Sequence, residues 1–78
     1  MASYITELAD RLARDTLAAM DASGEDRLHV EVAEVLAAAS TTLEEEYLTC
    51  MRVRLAERRG RSFLERRIAE LGIGAKSG

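Results

Sequence analysis

Apolar residues recur at helical spacing in successive stretches of the chain. In the first, Ile5, Leu8, Ala9, Leu12, Ala13, Thr16, Ala19 and Met20 fall on one face of a 3.6-residue turn, with Glu7, Arg11, Arg14 and Asp15 on the other. Ser3 stands where an N-cap belongs. Asp21-Ala22-Ser23-Gly24 ends the pattern as a turn whose glycine suits positive φ. Ser23, with Asp26 three residues on, has the spacing of a capping box for a second helix. Leu28, Val32, Val35, Leu36 and Ala39 then make a second apolar stripe. The alternation from Leu28 to Val32 also fits a short strand, but the stripe continues past it with helical period. Leu43, Tyr47, Leu48, Cys50, Met51 and Leu55 carry it onward, drifting slowly round the axis as a near-heptad pattern does on a 3.6-residue helix.

Two readings of the middle compete. Ser40-Thr41-Thr42 can be a break, with Thr41 and Glu44 capping a new helix. The absence of proline and of any glycine there favours one continuous helix from Asp26 to Arg59, roughly 50 Å long at 1.5 Å per residue. Gly60 follows Arg58-Arg59 as a C′ residue would, and Ser62 with Glu65 opens a short last helix carrying Phe63, Leu64, Ile68 and Leu71. Gly72, Gly74 and Gly78 mark residues 73–78 as a flexible tail after a single helical domain, residues 1–72. The expected fold class is all-α. Its protomer is a helical hairpin, with the first helix folded back on a long central one and a short C-terminal helix beside them.

Composition changes this picture in one respect. Hydrophobic residues are 47% of the 78, but aromatics only 4%, and alanine buries little area. A chain this short closes a core marginally without disulfides, a structural metal or association. Cys50 is the only cysteine and His29 the only histidine, so neither an internal disulfide nor a four-ligand zinc site is expected, and no cofactor is. Self-association through Leu28, Val32, Val35, Leu36, Leu43, Tyr47, Met51 and Leu55 is the expected remedy, as a homodimeric helical bundle. No stretch approaches the roughly 20 apolar residues of a membrane span. The start, Met1-Ala2-Ser3-Tyr4, lacks a basic, apolar leader; with a lone cysteine this leads to the expectation of a reducing cytoplasm. Arginine outnumbers lysine ten to one, a bias common in GC-rich bacterial genomes.

Charge is unevenly distributed. Residues 1–50 hold 11 acidic and 3 basic side chains, whereas residues 51–78 hold 3 acidic and 8 basic. Such asymmetry points to an interaction surface. One expectation is mutual neutralisation, with Glu44, Glu45 and Glu46 facing Arg58, Arg59, Arg66 or Arg67 of an antiparallel neighbour. Another is a partner-binding basic patch of Arg52, Arg54, Arg58, Arg59, Arg61, Arg66 and Arg67, whose planar forks suit carboxylates and phosphates.

The remaining constellations are weak. Val32 to Leu48 places Ala33, Ala37 and Leu43 as a helix-turn-helix would, but its second helix carries three glutamates that phosphate repels. Asp26 and His29 have the carboxylate-x-x-His spacing of di-iron bundles without a second such pair. Arg52 and Arg54 near Cys50 favour a thiolate, yet Cys50 lies on the apolar stripe, where a structural thiol is expected. No nucleophile–base pair or glycine-rich phosphate loop is evident. An Arg-rich C-terminal helix lying on a membrane is disfavoured by its short apolar face and by Glu65 and Glu70. The expected function is therefore non-catalytic: a small regulatory or adaptor protein binding another protein, such as an inhibitor, with a nucleic-acid-associated regulator as the alternative.

Overall fold

A computed structural model describes residues 3–72. Three helices make up the described chain: α1 (Tyr4–Ser23), α2 (Leu28–Ala39) and α3 (Thr41–Leu71). The all-α expectation holds, and the strand reading of Leu28–Val32 is excluded, since those residues open α2. The tail expected at 73–78 lies outside the described residues.

α1 begins as its sequence suggests. Ser3 is extended (φ −82°, ψ 166°), and its hydroxyl accepts the Thr6 N–H at 3.0 Å. It ends at Gly24, whose left-handed φ of 78° lets its N–H reach the Met20 carbonyl at 2.8 Å. The Ser23–Asp26 box does not form. The Ser23 hydroxyl donates to the Ala19 carbonyl and accepts the Glu25 N–H, so it belongs to the end of α1. α2 starts after Arg27 without a side-chain cap.

The continuous helix from Asp26 to Arg59 is broken at one residue. Ser40 is extended (φ −162°, ψ 107°); its N–H closes α2 on the Leu36 carbonyl at 2.7 Å, and its hydroxyl accepts the Leu43 N–H at 3.1 Å to open α3. The cap is thus Ser40, one residue before the Thr41 of the break reading. A serine can satisfy the orphan donors of a new first turn itself, so neither glycine nor proline is required. Ser40→Ala should cost about 1 kcal/mol, the usual worth of such a cap, readable as a lower urea midpoint at unchanged m.

Gly60 is not a C′ residue: α3 runs through it to Leu71, and the Ser62–Glu65 box and separate last helix are absent. Interior glycine costs about 1 kcal/mol relative to alanine. Glu57 and Arg61 span it with an i,i+4 ion pair, and no proline stops the helix. α3 ends at Gly72 (φ 76°).

α3 packs against both shorter helices. Pairs between α1 and α3 advance along both: Thr6 with Glu46, Asp10 with Arg54, Asp21 with Arg58. The two therefore run in the same sense, and the short α2, rather than α1, makes the return. Ala9, Ala13, Leu17, Ala33, Tyr47 and Met51 form the buried core, with Leu12, Met20, Val32, Leu36, Leu43, Leu48, Cys50 and Leu55 half-covered around it. Three of the six core residues are alanines, which allow close helix approach while leaving Tyr47 and Met51 to supply most of the buried volume. The buried Tyr47 hydroxyl donates to Thr16 Oγ1 at 2.9 Å, and Thr16 donates to the Leu12 carbonyl at 2.7 Å. This satisfies the polar end of the largest core side chain. Leu17 was absent from the expected face of α1; Ile5 and Ala19, which were on it, are exposed. The face tilts toward Leu17 because α1 is wedged against α3 along that side.

Candidate docking surface

The stripe expected to self-associate divides in two. Tyr47 and Met51 are consumed by the chain's own core, whereas Val35 is 71% exposed. Leu28, Val32, Leu36, Leu43 and Leu55 are half-buried. Tyr4 on α1 is 74% exposed, and four further uncovered apolar side chains lie together along α3.

At 1.5 Å per residue α1 is about 30 Å long and α3 about 46 Å. The last tie from α1 reaches α3 at Arg58. Past it, every residue from Arg59 to Gly72 is exposed except Ile68, which is half-buried. Phe63, Leu64 and Leu71 expose 54%, 53% and 58% of their surface, and Val53 on the preceding turns 63%. Val53, Leu64, Ile68 and Leu71 share one face of the helix, because their spacings of 11, 4 and 3 residues are near-integral numbers of turns. The short C-terminal helix was expected to carry such residues; its fusion to α3 makes them a continuation of one long face.

The seven arginines of the expected basic patch have different fates. Arg54 forks onto Asp10 with Nε and Nη2 each 2.9 Å from a carboxylate oxygen. Arg58 forks onto Asp21 through Nη1 and Nη2, at 2.9 and 2.7 Å. These two pin α1 to α3 and belong to the fold. Arg61 pairs with Glu57, Arg67 pairs with Glu70 at 2.7 Å, and Arg66 lies 5.7 Å from the Phe63 ring centre. Arg52 and Arg59 make no ion pair among the described residues. Arg52, Arg59 and Arg66 are seven residues apart and therefore form one column. Of the four arginines expected to face Glu44–Glu46 of a neighbour, Arg58 is engaged by Asp21 of its own chain; Glu46 accepts the Thr6 hydroxyl at 3.4 Å.

Asp10 carries no local signal in the sequence, and Asp21 reads there as the first residue of a turn, whereas it lies within α1; neither marks a pair until α1 is seen to run parallel to α3. The Arg54 hydrogen bonds hold the Asp10 carboxyl below its ordinary value, against desolvation, with help from the charges of Arg54 and Arg14. Arg58 acts likewise on Asp21. A lowered aspartate value means the pair stabilises the fold fully above the unfolded value, about pH 4, and ceases to as the solution is acidified through the folded value. Asp10→Asn should therefore lower stability at pH 7 by under about 1 kcal/mol, since the pair is partly solvated, and have no effect at about pH 2. Urea titrations at the two pH values check this.

Between α1 and α3, on the side of this bonding network, lies an open groove of about 630 Å³, lined by Leu17, Ala18, Cys50 and Val53 with Asp10, Arg54 and Arg58 among its polar residues. The Cys50 thiol is half-buried there. Desolvation, then the charges of Asp10 and Glu46, raise its pKa, with Arg54 opposing. The expected help from flanking arginines is outweighed, and the group is a thiol at neutral pH. His29 Nδ1 is buried without a hydrogen-bond partner, and no three His, Cys, Asp or Glu side chains converge among the described residues. The α2–α3 junction is a single serine, not the turn of three or four residues that sets a helix-turn-helix. No described helix is long and apolar enough to cross a membrane.

No family model, curated protein or solved structure matches this chain.

The longest run of uncovered apolar side chains is thus the Val53-to-Leu71 stretch of α3, flanked by arginines on both sides.

Proposed function

We propose that the protein is a small non-catalytic regulatory or adaptor protein that acts by docking the uncovered face of α3 onto another protein chain, as an inhibitor of a macromolecule would. The observation that carries this reading is the length mismatch. α3 outruns its last tie to α1 by more than three turns, and that extension holds Phe63, Leu64 and Leu71 half-exposed. An apolar ridge on a helix, bordered by charge, is the usual form of a helix-in-groove contact. The arginines set orientation and encounter rate more than affinity.

A photo-crosslinking residue at position 63, introduced in the source cells, should capture a protein, with the product identified by mass spectrometry. Leu64→Asp should abolish capture while leaving far-ultraviolet circular dichroism unchanged, because Leu64 contributes nothing to the core. Loss of helicity in that variant, or capture unaffected by it, would refute the ridge.

A second reading rests on the column of Arg52, Arg59 and Arg66, which suits the backbone of a nucleic acid. Glu45 and Glu70 extend the same column and oppose it. If this reading were right, duplex DNA binding would weaken with salt at a logarithmic slope of about −3, lost in the triple alanine variant. Absence of binding at low salt dismisses it.

A further inference from the structure

The uncovered face of α3 has a symmetry of its own. Val53, Glu57, Gly60, Leu64, Ile68 and Leu71 follow one another at intervals of 4, 3, 4, 4 and 3 residues and share one side of the helix. Val53 and Leu71 lie nine residues either side of Ser62, Glu57 and Arg67 five, and Gly60 and Leu64 two. Two α3 helices placed antiparallel with a two-fold axis at Ser62 therefore bring apolar beside apolar, a missing side chain beside a large one, and acid beside base, with the exposed Glu57 and Arg67 exchanging their in-chain partners Arg61 and Glu70 for each other. Self-complementarity of this kind is what an isologous contact demands.

Resting on the reading that this face docks a protein, we infer that its partner is a second copy of the chain, bound antiparallel along α3. In that arrangement Leu64 of each copy seats over Gly60 of the other. A Cβ at Gly60 meets nothing within 4 Å in the isolated chain, so neither its own fold nor its backbone conformation requires glycine there. The placement of glycine inside a helix, at a cost in propensity, follows from the space Leu64 of the second copy takes. The groove completes the fit. Val53 lines it beside Leu17 and Cys50, so Leu71 of the second copy, level with Val53, enters the space between α1 and α3, and its Arg67 comes level with Glu57 on the rim. Both the ridge and the groove of each copy are used, once each.

The seam of 19 residues is about 28 Å long. Seated in the groove at both ends it removes on the order of 1,000 Å² in total, the lower end for a specific interface. A dimer that dissociates on dilution is expected.

The experiment is light scattering on the full chain, up to about 1 mM, alone and as charge-swapped variants. Wild type should have twice the 8.6 kDa chain mass at high concentration. Glu57→Arg and Arg67→Glu should each raise the dissociation constant at least tenfold, and an equimolar mixture of the two should recover it, because only the mixed dimer restores both acid–base pairs. Gly60→Leu should raise helix stability yet give a monomer, a combination that a purely structural role for Gly60 does not produce. A monomeric wild type, or a dimer indifferent to Gly60→Leu and to both swaps, overturns the inference. A monomer that still captures a different protein through position 63 would remove the second copy while sparing the docking face; loss of both would remove the reading itself.

Discussion

Replacing Tyr47 with alanine is expected to unfold most of the chain at 25 °C. Tyr47 is fully buried and is one of only two large side chains in a core otherwise made of alanines and Leu17. Truncating a buried aromatic costs about 3–5 kcal/mol through lost transfer energy and the cavity left behind. A single hydrophobic core in a chain this short supplies about 3–5 kcal/mol in all, so the loss is as large as the whole. The alanines at positions 9, 13 and 33 have no longer side chains with which to fill the hole, so little collapse can offset the loss. The truncation also removes the hydrogen bond that the phenol donates to Thr16, whose own bond to the Leu12 carbonyl remains. Tyr47→Phe separates the two effects. It keeps the ring and removes only the hydrogen bond, so a loss of about 1 kcal/mol is expected. Urea or thermal melts followed by circular dichroism measure both; a Tyr47→Ala chain that melts like the parent would show that the core is not where Tyr47 lies.

Met51→Asp should be as severe by a different route. Met51 is 1% exposed and sits one turn beyond Tyr47 on the same face of α3. A carboxylate there has no guanidinium to meet, because the nearby Arg54 and Arg58 are engaged with Asp10 and Asp21. An unpaired buried charge costs several kcal/mol or takes up a proton to avoid it. The variant should therefore be unfolded at pH 7 and recover some helicity near pH 4. Met51→Leu, which conserves volume, should lose under about 1.5 kcal/mol. A Met51→Asp chain as stable as the parent at pH 7 would contradict the burial described.

Helical class, the cap at Ser3 and the turn at Gly24 could be read from the sequence because each depends on neighbours within one turn. Tyr47 and Met51 could be read as buried from periodicity alone, though not what buries them. Ser40 and Gly60 misled in opposite directions. A serine can end one helix and cap the next, yet is equally at home inside a helix, so its role depends on whether tertiary packing rewards a bend. A glycine breaks a helix only if something is gained there; flanked by Glu57 and Arg61, Gly60 does not break it. The Asp10–Arg54 and Asp21–Arg58 forks were invisible because they join residues 44 and 37 positions apart. Long-range pairing needs the register of α1 on α3, which no local pattern encodes. The uncovered ridge is half-legible: the pattern marks its residues, but as a separate helix rather than as the end of a longer face.

Amide hydrogen exchange across α3 at two protein concentrations tests the central claim most directly. If the extension beyond Arg59 is held by a second copy of the chain, residues 62–71 should exchange near the unprotected rate in dilute solution and gain protection as concentration rises, while the amides around Tyr47 and Met51 remain protected throughout. Protection in 62–71 that equals the core at every concentration, or none at any, would contradict it.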